Sequence, residues 1–291
     1  MRVLIIGGKS ALGIELRKTL SPNFVVFTAG RSNCDIYLDL SSDSDIEISI
    51  KFDIVILAAA VIGGTSLKAY EENIMVNVLG TARSITLANK CEAKHFILIS
   101  SMSIFSKKIS PNYEIYCLTK KHSEEVAEFV ADSINMPLTI LRPSQLYGEN
   151  DSFKKNQPLL YKIIECAELN KDITFHGTKN SIRNYLHVSD FNEIVRKVID
   201  FNVLGKYNCV NTESVTLIET FNAAISVFKS NCKYSFDNSK EDIYENIVQT
   251  DFEFYKKINF IPRINIRTGI EIIAGLKKEL ACIFFSILNC L

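Results

Sequence analysis

Residues 3–13, VLIIGGKSALG, decide the fold. The first four are apolar and mostly β-branched, the composition of a short strand buried on both faces. GGKSALG (7–13) follows, and ALGIELRKTL (11–20) then takes up helical spacing and stops before Pro22. A glycine turn between a strand and a helix is the setting in which a dinucleotide pyrophosphate meets free N–H groups at a helix N-terminus. Gly7 makes the turn and Gly13 lets helix and strand pack closely. Ser10 stands at the usual middle glycine, with Ala11 and Leu12 completing the turn.

Working outward, the first half alternates. FVVFTA (24–29), DIVILAAA (53–60), HFILIS (95–100) and LTILR (138–142) read as strands. The spacing predicts helices over 71–90 and 116–133. Strand–helix alternation calls for a parallel sheet with helices on both faces. After Arg142 the pattern loosens. PSQLYGENDSFKKNQP reads as a loop, followed by a helix (159–169), a strand ITFH (173–176), a helix from Ser189, a strand around KYNCV (206–210) and a helix from Leu217. The expected fold is α/β: a doubly wound, Rossmann-type parallel sheet with a smaller α+β substrate-binding cap. Residues 1–146 form the dinucleotide-binding domain, to which segments around 183–203 return, and 147–291 form mainly the cap.

The 291 residues are 47% hydrophobic, enough for a sizeable core, and balance 33 basic against 33 acidic residues. That balance gives no electrostatic reason to expect nucleic acid as a partner. Eight scattered cysteines form no CxxC pair and no Cys/His cluster, so the expectation is a reduced, cytoplasmic protein without a metal site. MRVLIIGGKS is not a signal peptide. The apolar LACIFFSILNCL (280–291) is shorter than the roughly 20 residues of a membrane span. It reads as packing on the protein body or a subunit interface, with a membrane-surface helix as the lesser alternative.

The end of the second strand speaks to the cofactor. A carboxylate there bonds the ribose 2′-OH of NAD, whereas an arginine accommodates the 2′-phosphate of NADP. Here Arg31 and Ser32 follow the strand and Asp35 comes later. This favours NADP(H), with NAD(H) possible and a plain surface arginine as the alternative. Further on, YCLTK (116–120) puts Tyr116 and Lys120 one helical turn apart, on one face. With 11 Tyr and 24 Lys in the chain, chance alone supplies about one such pair, so the spacing needs support.

That support is a resemblance. The chain resembles the extended short-chain dehydrogenase/reductases, the NAD(P)-dependent epimerase/dehydratase group that acts on nucleotide sugars. VLIIGGKSALG looks like its cofactor turn, and LDL (38–40) like the segment whose Asp39 and Leu40 flank the adenine. ILAAA (56–60) is similar to the small-residue strand end, Ala58, Ala59 and Ala60, beside the cofactor. NVLGT (77–81) matches the helix segment carrying Asn77. ISSMSIF (99–105) looks like the catalytic serine strand, and YCLTK like the catalytic helix. LRPSQLYG (141–148) resembles the segment that runs under the nicotinamide at Pro143. SIRNYLHVSD (181–190) resembles the arginine stretch of the substrate half.

The resemblance implies roles. Tyr116 donates and accepts the proton, a nearby ammonium lowering its pKa from near 10. Lys120 also holds the nicotinamide ribose. Ser101 donates to the carbonyl oxygen as charge develops. Ser103 is a second substrate contact, Tyr147 lines the cavity and Arg183 pairs with the substrate diphosphate, although Asn184 replaces the usual acid beside it. His176 and His187 read as structural histidines at least as readily as ligands. Family members that dehydrate sugars carry Asp-Glu after the serine; here Met102 and Ser103 stand there. Members that epimerise C3 and C5 carry a cysteine at Ser103 and a downstream histidine, both missing. The expected activity is therefore NADPH-dependent reduction of a keto group on a nucleotide-activated sugar, of the 4-keto-6-deoxyhexose type. An NAD-dependent C4 epimerase is the near alternative, and a non-catalytic NAD(P) sensor or scaffold the distant one. By analogy the helices bearing Asn77 and Tyr116 pair in a homodimer.

Overall fold

The computed structural model describes residues 1–42, 48–106 and 114–275. The chain opens with β1 (Arg2–Ile6), α1 (Ala11–Leu20), β2 (Val25–Gly30), β3 (Ile36–Tyr37) and β4 (Ile54–Leu57). Then come α2 (Leu67–Asn73), a π-helical segment (Ile74–Leu79), α3 (Gly80–Lys90), β5 (His95–Ile99), a 3-10 turn (Met102–Phe105), α4 (Ile115–Ser133) and β6 (Leu138–Pro143). The second half runs β7 (Gln145–Tyr147), α5 (Ser152–Asn156), α6 (Pro158–Glu168), β8 (Ile173–His176), β9 (Ile182–Arg183), β10 (Tyr185–His187) and α7 (Val188–Asp200). It continues through β11 (Gly205–Cys209), β12 (Val215–Thr216), α8 (Leu217–Phe228), β13 (Tyr234–Asp237) and α9 (Phe252–Lys257). A helix over 266–275 ends the described chain.

Two compact units result: 1–144 with 191–210 and 249–261, and 145–190 with 211–248 and 262–275. The first holds a seven-stranded sheet in the order β11-β6-β5-β4-β1-β2-β3, with every neighbouring pair parallel. The strand order reverses between β1 and β4. Right-handed crossovers running in opposite directions from that point put α1 and α3 on opposite faces. Both faces are therefore covered, and β1, β4 and β5 are buried at nearly every position. One face carries Leu4, Ile6, Val55, Leu57, Phe96 and Leu98 against Ile85 and Ala88 of α3 and Ala127 and Ala131 of α4. The reversal leaves a crevice beyond the carboxyl ends of β1 and β4, where ligands of such sheets bind.

The second unit has three two-stranded pairings, β7 with β10, β9 with β12 and β8 with β13. A cavity of about 390 Å³ in this unit is lined by Leu159, Lys162, Thr174, Phe175, His176 and Ile243 among others.

Several elements depart from the sequence reading. KYNCV is not a cap strand: β11 pairs in parallel with β6 and closes one edge of the main sheet. The 143–158 stretch is not wholly loop but holds β7 and α5. The predicted helix over 71–90 starts at Leu67 and contains a π-helical turn. The apolar 280–291 stretch, with Cys282 and Cys290, lies outside the described residues. The six described cysteines are free thiols. Among the described residues no helix is long and apolar enough to cross a membrane.

Candidate active site

The turn after β1 is shaped by its glycines. Gly7 has φ +94°, and a Cβ there would lie 2.5 Å from the Ala59 nitrogen. A Cβ on Gly13 would run into the Gly7 carbonyl oxygen. Strand end, turn and the Ala58–Ala60 segment are thus in direct backbone contact; Ala58 and Ala59 N–H groups both donate to the Ile6 carbonyl, at 2.9 and 3.0 Å. Ser10 caps α1, its Oγ accepting from the Gly13 N–H at 3.0 Å. The small residues leave the backbone open to a phosphate at the helix N-terminus, so the turn fits a dinucleotide.

At the end of β2, Arg31 and Ser32 are exposed. Lys9, a residue the sequence reading passed over, reaches Ser32 Oγ with its Nζ at 3.4 Å. Asp35 turns away from this corner. Its carboxylate accepts from the Thr28 N–H and hydroxyl, both at 2.8 Å, and faces Arg17 at 3.4 Å. Burial pushes the Asp35 carboxyl up, but the Thr28 bonds and Arg17 outweigh it and hold it below the usual range. Asp39 is occupied locally by the Ser41 N–H and hydroxyl, at 2.9 and 2.6 Å. Leu40 is buried, and the absence of a side chain on Gly80 lets α3 approach it.

Asn77 sits inside the π-helical turn, and its amide is fully engaged. Oδ1 accepts from the Val61 N–H at 2.9 Å, and Nδ2 donates to the Val61 carbonyl at 2.9 Å and to Thr119 Oγ1 at 3.0 Å. Thr119 belongs to YCLTK, so this side chain ties the wide turn to α4. Such turns recur at functional sites.

At the end of β5, Ser101 caps the 3-10 turn, accepting from the Ser103 N–H at 3.1 Å. The half-buried Tyr116 phenol is hydrogen-bonded to the Ser101 side chain. Lys120, one turn on, is buried and donates from Nζ to the Ile99 carbonyl at 2.6 Å. Serine, tyrosine and lysine therefore meet at one strand end. Ser103 Oγ is also buried and has no partner among the described residues. Pro143 is buried at the end of β6.

One electrostatic expectation is corrected. The Tyr116 phenol is not lowered: burial pushes it up to about 12, and the Ser101 hydrogen bond only partly offsets this. Lys120 is pulled down by the same burial to about 8, against the attraction of Glu124. Desolvation outweighs the Ser101 bond at the phenol and the Glu124 attraction at the ammonium.

In the second unit, Arg183 lies on β9 opposite Val215, with its Nε buried and unpartnered among the described residues. Asn184 bonds the Asn211 backbone in both directions, at 3.0 and 2.9 Å, which explains how a neutral amide is kept there. Tyr147, expected to line the cavity, is fully buried and edge-on to the rings of Tyr185 and His187. His187 is likewise fully buried, its Nδ1 accepting from the Ser189 N–H at 3.3 Å. No cluster of metal-ligating side chains occurs among the described residues.

Residues 3–210 match the NAD dependent epimerase/dehydratase family. The chain belongs to this family. It shares 22% identity over 242 residues with the dTDP-D-glucose 4,6-dehydratase of Bos taurus, covering 79% of this chain and 67% of the relative. It shares 22% over 160 residues with the dTDP-4-dehydro-6-deoxy-D-allose reductase of Streptomyces bikiniensis, 54% and 48% of the two chains. The crystal structure of UDP-N-acetylglucosamine 4-epimerase from Bacillus cereus superimposes with a TM-score of 0.76 at 17% identity, over 96% of each chain. The family is one of NAD(P)-dependent enzymes that modify nucleotide sugars, with the Rossmann-like sheet described above. The three relatives perform three reactions, so the reaction has to be argued from this chain's own residues.

Proposed function

We propose that this family member reduces a keto group on a nucleotide-activated sugar with NADPH, the sugar being a 4-keto-6-deoxyhexose. The observation that carries the reading is the Ser101–Tyr116 pair followed by Met102 and Ser103. Hydride chemistry needs an oxygen-directed donor and a proton source, and both are present. Dehydration also needs an acid–base pair beside the sugar, and that position holds a thioether and a hydroxyl. The named activity of the Streptomyces reductase fits the same chemistry.

The first turn would hold the nicotinamide cofactor, which when bound would supply a hydride for the keto carbon. Ser101 Oγ steadies the oxygen as negative charge grows on it. The Tyr116 phenol gives its proton to that oxygen, which leaves an alcohol and a phenolate to be reprotonated from solvent. Lys120 stands one turn away as the cation that partners the phenolate. A phenol held near 12 is a poor acid toward water but remains protonated until an alkoxide forms, which suits reduction. Lys9 reaches Ser32, which follows Arg31 at the end of β2, while the Asp35 carboxylate is engaged by Thr28; this supports NADPH over NADH. Arg183 would pair with the substrate diphosphate, a planar guanidinium matching two oxyanions. The cavity bordered by Leu159 and His176 is of a size to take the nucleobase.

The test is a screen of nucleotide 4-keto-6-deoxy sugars with NADPH and NADH, following absorbance and identifying the sugar product. Net NADPH oxidation, lost in Tyr116→Phe, is expected. Copurified NAD with interconversion of C4 epimers and no net oxidation would establish the epimerase instead. Unchanged behaviour of Tyr116→Phe would establish a sensor.

A further inference from the structure

A buried polar knot lies beneath Ser101, Tyr116 and Lys120. Glu124 follows Lys120 by one turn of α4 and is only 4% exposed. Ser100 donates its hydroxyl to Glu124 Oε1. Arg142, near the end of β6, grips the same carboxylate with two donors, Nε to Oε1 at 3.0 Å and Nη2 to Oε2 at 2.6 Å. The guanidinium lies 5.2 Å from the centre of the Phe105 ring, which closes the 3-10 turn begun by Ser101. The Ser100 N–H donates to the Leu141 carbonyl at 2.7 Å.

Each member of the knot adjoins a member of the proposed site. Ser100 precedes Ser101, Arg142 precedes Pro143, and Glu124 is one turn from Lys120. A buried ion pair contributes little net stability, and apolar residues of the same volume serve a core as well or better. Its place here is better explained by what it holds. Lys120 and Arg142 are both cations in this buried region, and Glu124 is the anion between them. About Lys120, α4 presents Tyr116 and Glu124 and β6 presents Arg142. From β5 and the two residues after it come the Ile99 carbonyl, Ser100 and Ser101.

We propose that Glu124 is a positioning residue: clamped by Ser100 and Arg142, its carboxylate fixes the Lys120 turn of α4 against the ends of β5 and β6 and keeps the Lys120 ammonium charged. The inference rests on the catalytic reading of Ser101, Tyr116 and Lys120. It extends that reading to residues that touch neither substrate nor cofactor.

The experiment follows the Lys120 side chain of the full-length protein by NMR of 13Cε-lysine, the signal being assigned by its loss in Lys120→Met. Glu124→Gln is expected to lower the Lys120 midpoint by about one pH unit, as removal of a neighbouring opposite charge does. Arg142→Met, which releases the clamp on Glu124, is expected to lower it as well, by less. Glu124→Asp is expected to restore most of the wild-type value. The alkaline limb of NADPH affinity, read by fluorescence, should move with the midpoint. A merely structural knot predicts an unmoved midpoint in both variants. Midpoints that stay at the wild-type value in both variants overturn the proposal, as does an unmoved Arg142→Met when Glu124→Gln does not fold. The titration needs no turnover, so the two claims separate: an unaffected rate in Tyr116→Phe sinks the catalytic reading, while unmoved midpoints beside an inactive Tyr116→Phe sink only the clamp.

Discussion

Removing the basic corner at the end of β2 should change cofactor choice, and the structure sets the size of the effect. Lys9 and Arg31 are exposed, and Lys9 reaches Ser32 at 3.4 Å. Opposite unit charges at ~4 Å interact by about 1 kcal/mol in bulk water and about 4 kcal/mol near a protein surface. Exposure and salt place this corner toward the lower figure, and a phosphate dianion roughly doubles it. Lys9→Ala is therefore expected to raise the NADPH Kd about tenfold. Arg31→Ala, which also loses a two-pronged donor, should raise it by about ten- to a hundredfold. NADH has no 2′-phosphate, and its Kd should stay within about a factor of two. Fluorescence titrations of both cofactors at low and high salt supply the comparison. The NADPH losses should shrink at high salt. Asp35→Asn is the control: its carboxylate is engaged by Thr28, so NADH affinity should not fall. Equal losses for the two cofactors, or a fall in NADH affinity in Asp35→Asn, would refute the assignment of this corner to a 2′-phosphate.

Other outcomes follow from single sites. Gly7→Ala forces a Cβ against the Ala59 backbone at φ +94°, and should cost about 1–3 kcal/mol in denaturant melts and abolish cofactor binding. Lys120→Met should end turnover yet stabilise the fold by up to about 3 kcal/mol at pH 7. The sign follows from a folded pKa near 8 below an unfolded one of 10.5: the cost of the buried charge is fully present below pH 8 and fades as pH rises toward 10.5. The gain over wild type should accordingly vanish in melts at alkaline pH. Arg183→Ala should raise KM for the nucleotide sugar at least about tenfold through the lost charged contact, with NADPH Kd unchanged.

The first turn was legible because everything that specifies it is local. A both-face-buried strand, small residues and an amphipathic helix stand side by side, and the structure keeps each. Tyr116 and Lys120 were legible as a pair because helical periodicity places them together. Their pKa values were not, since depth of burial depends on chain segments far away in sequence. Lys9 was missed for the same reason: its partner is Ser32, and only folding brings the first turn to the end of β2. The short β7 was lost because three residues cannot show a period, and Pro143 and Gly148 on either side read as loop. Tyr147 was placed at a cavity by resemblance, but its ring is enclosed by Tyr185 and His187, neither of which announces itself as a neighbour. Glu124 and Arg142 were not singled out, since they stand 18 residues apart and only folding brings them into one ion pair.

The wide turn at Ile74–Leu79 has a consequence for how this helix tolerates change. The Gly80 N–H reaches back five residues to the Met75 carbonyl, so one extra residue is accommodated in the winding. Excising any single residue there would let the rod rewind as an ordinary α-helix. The flanking segments would keep their facing, because the residue removed is the one the wide turn had absorbed. What would go is the widened turn that holds Asn77 against Val61 and Thr119, although hydrophobic content and length would hardly differ. Substitutions in this stretch are thus far safer than deletions, because what the chain preserves there is a count of residues.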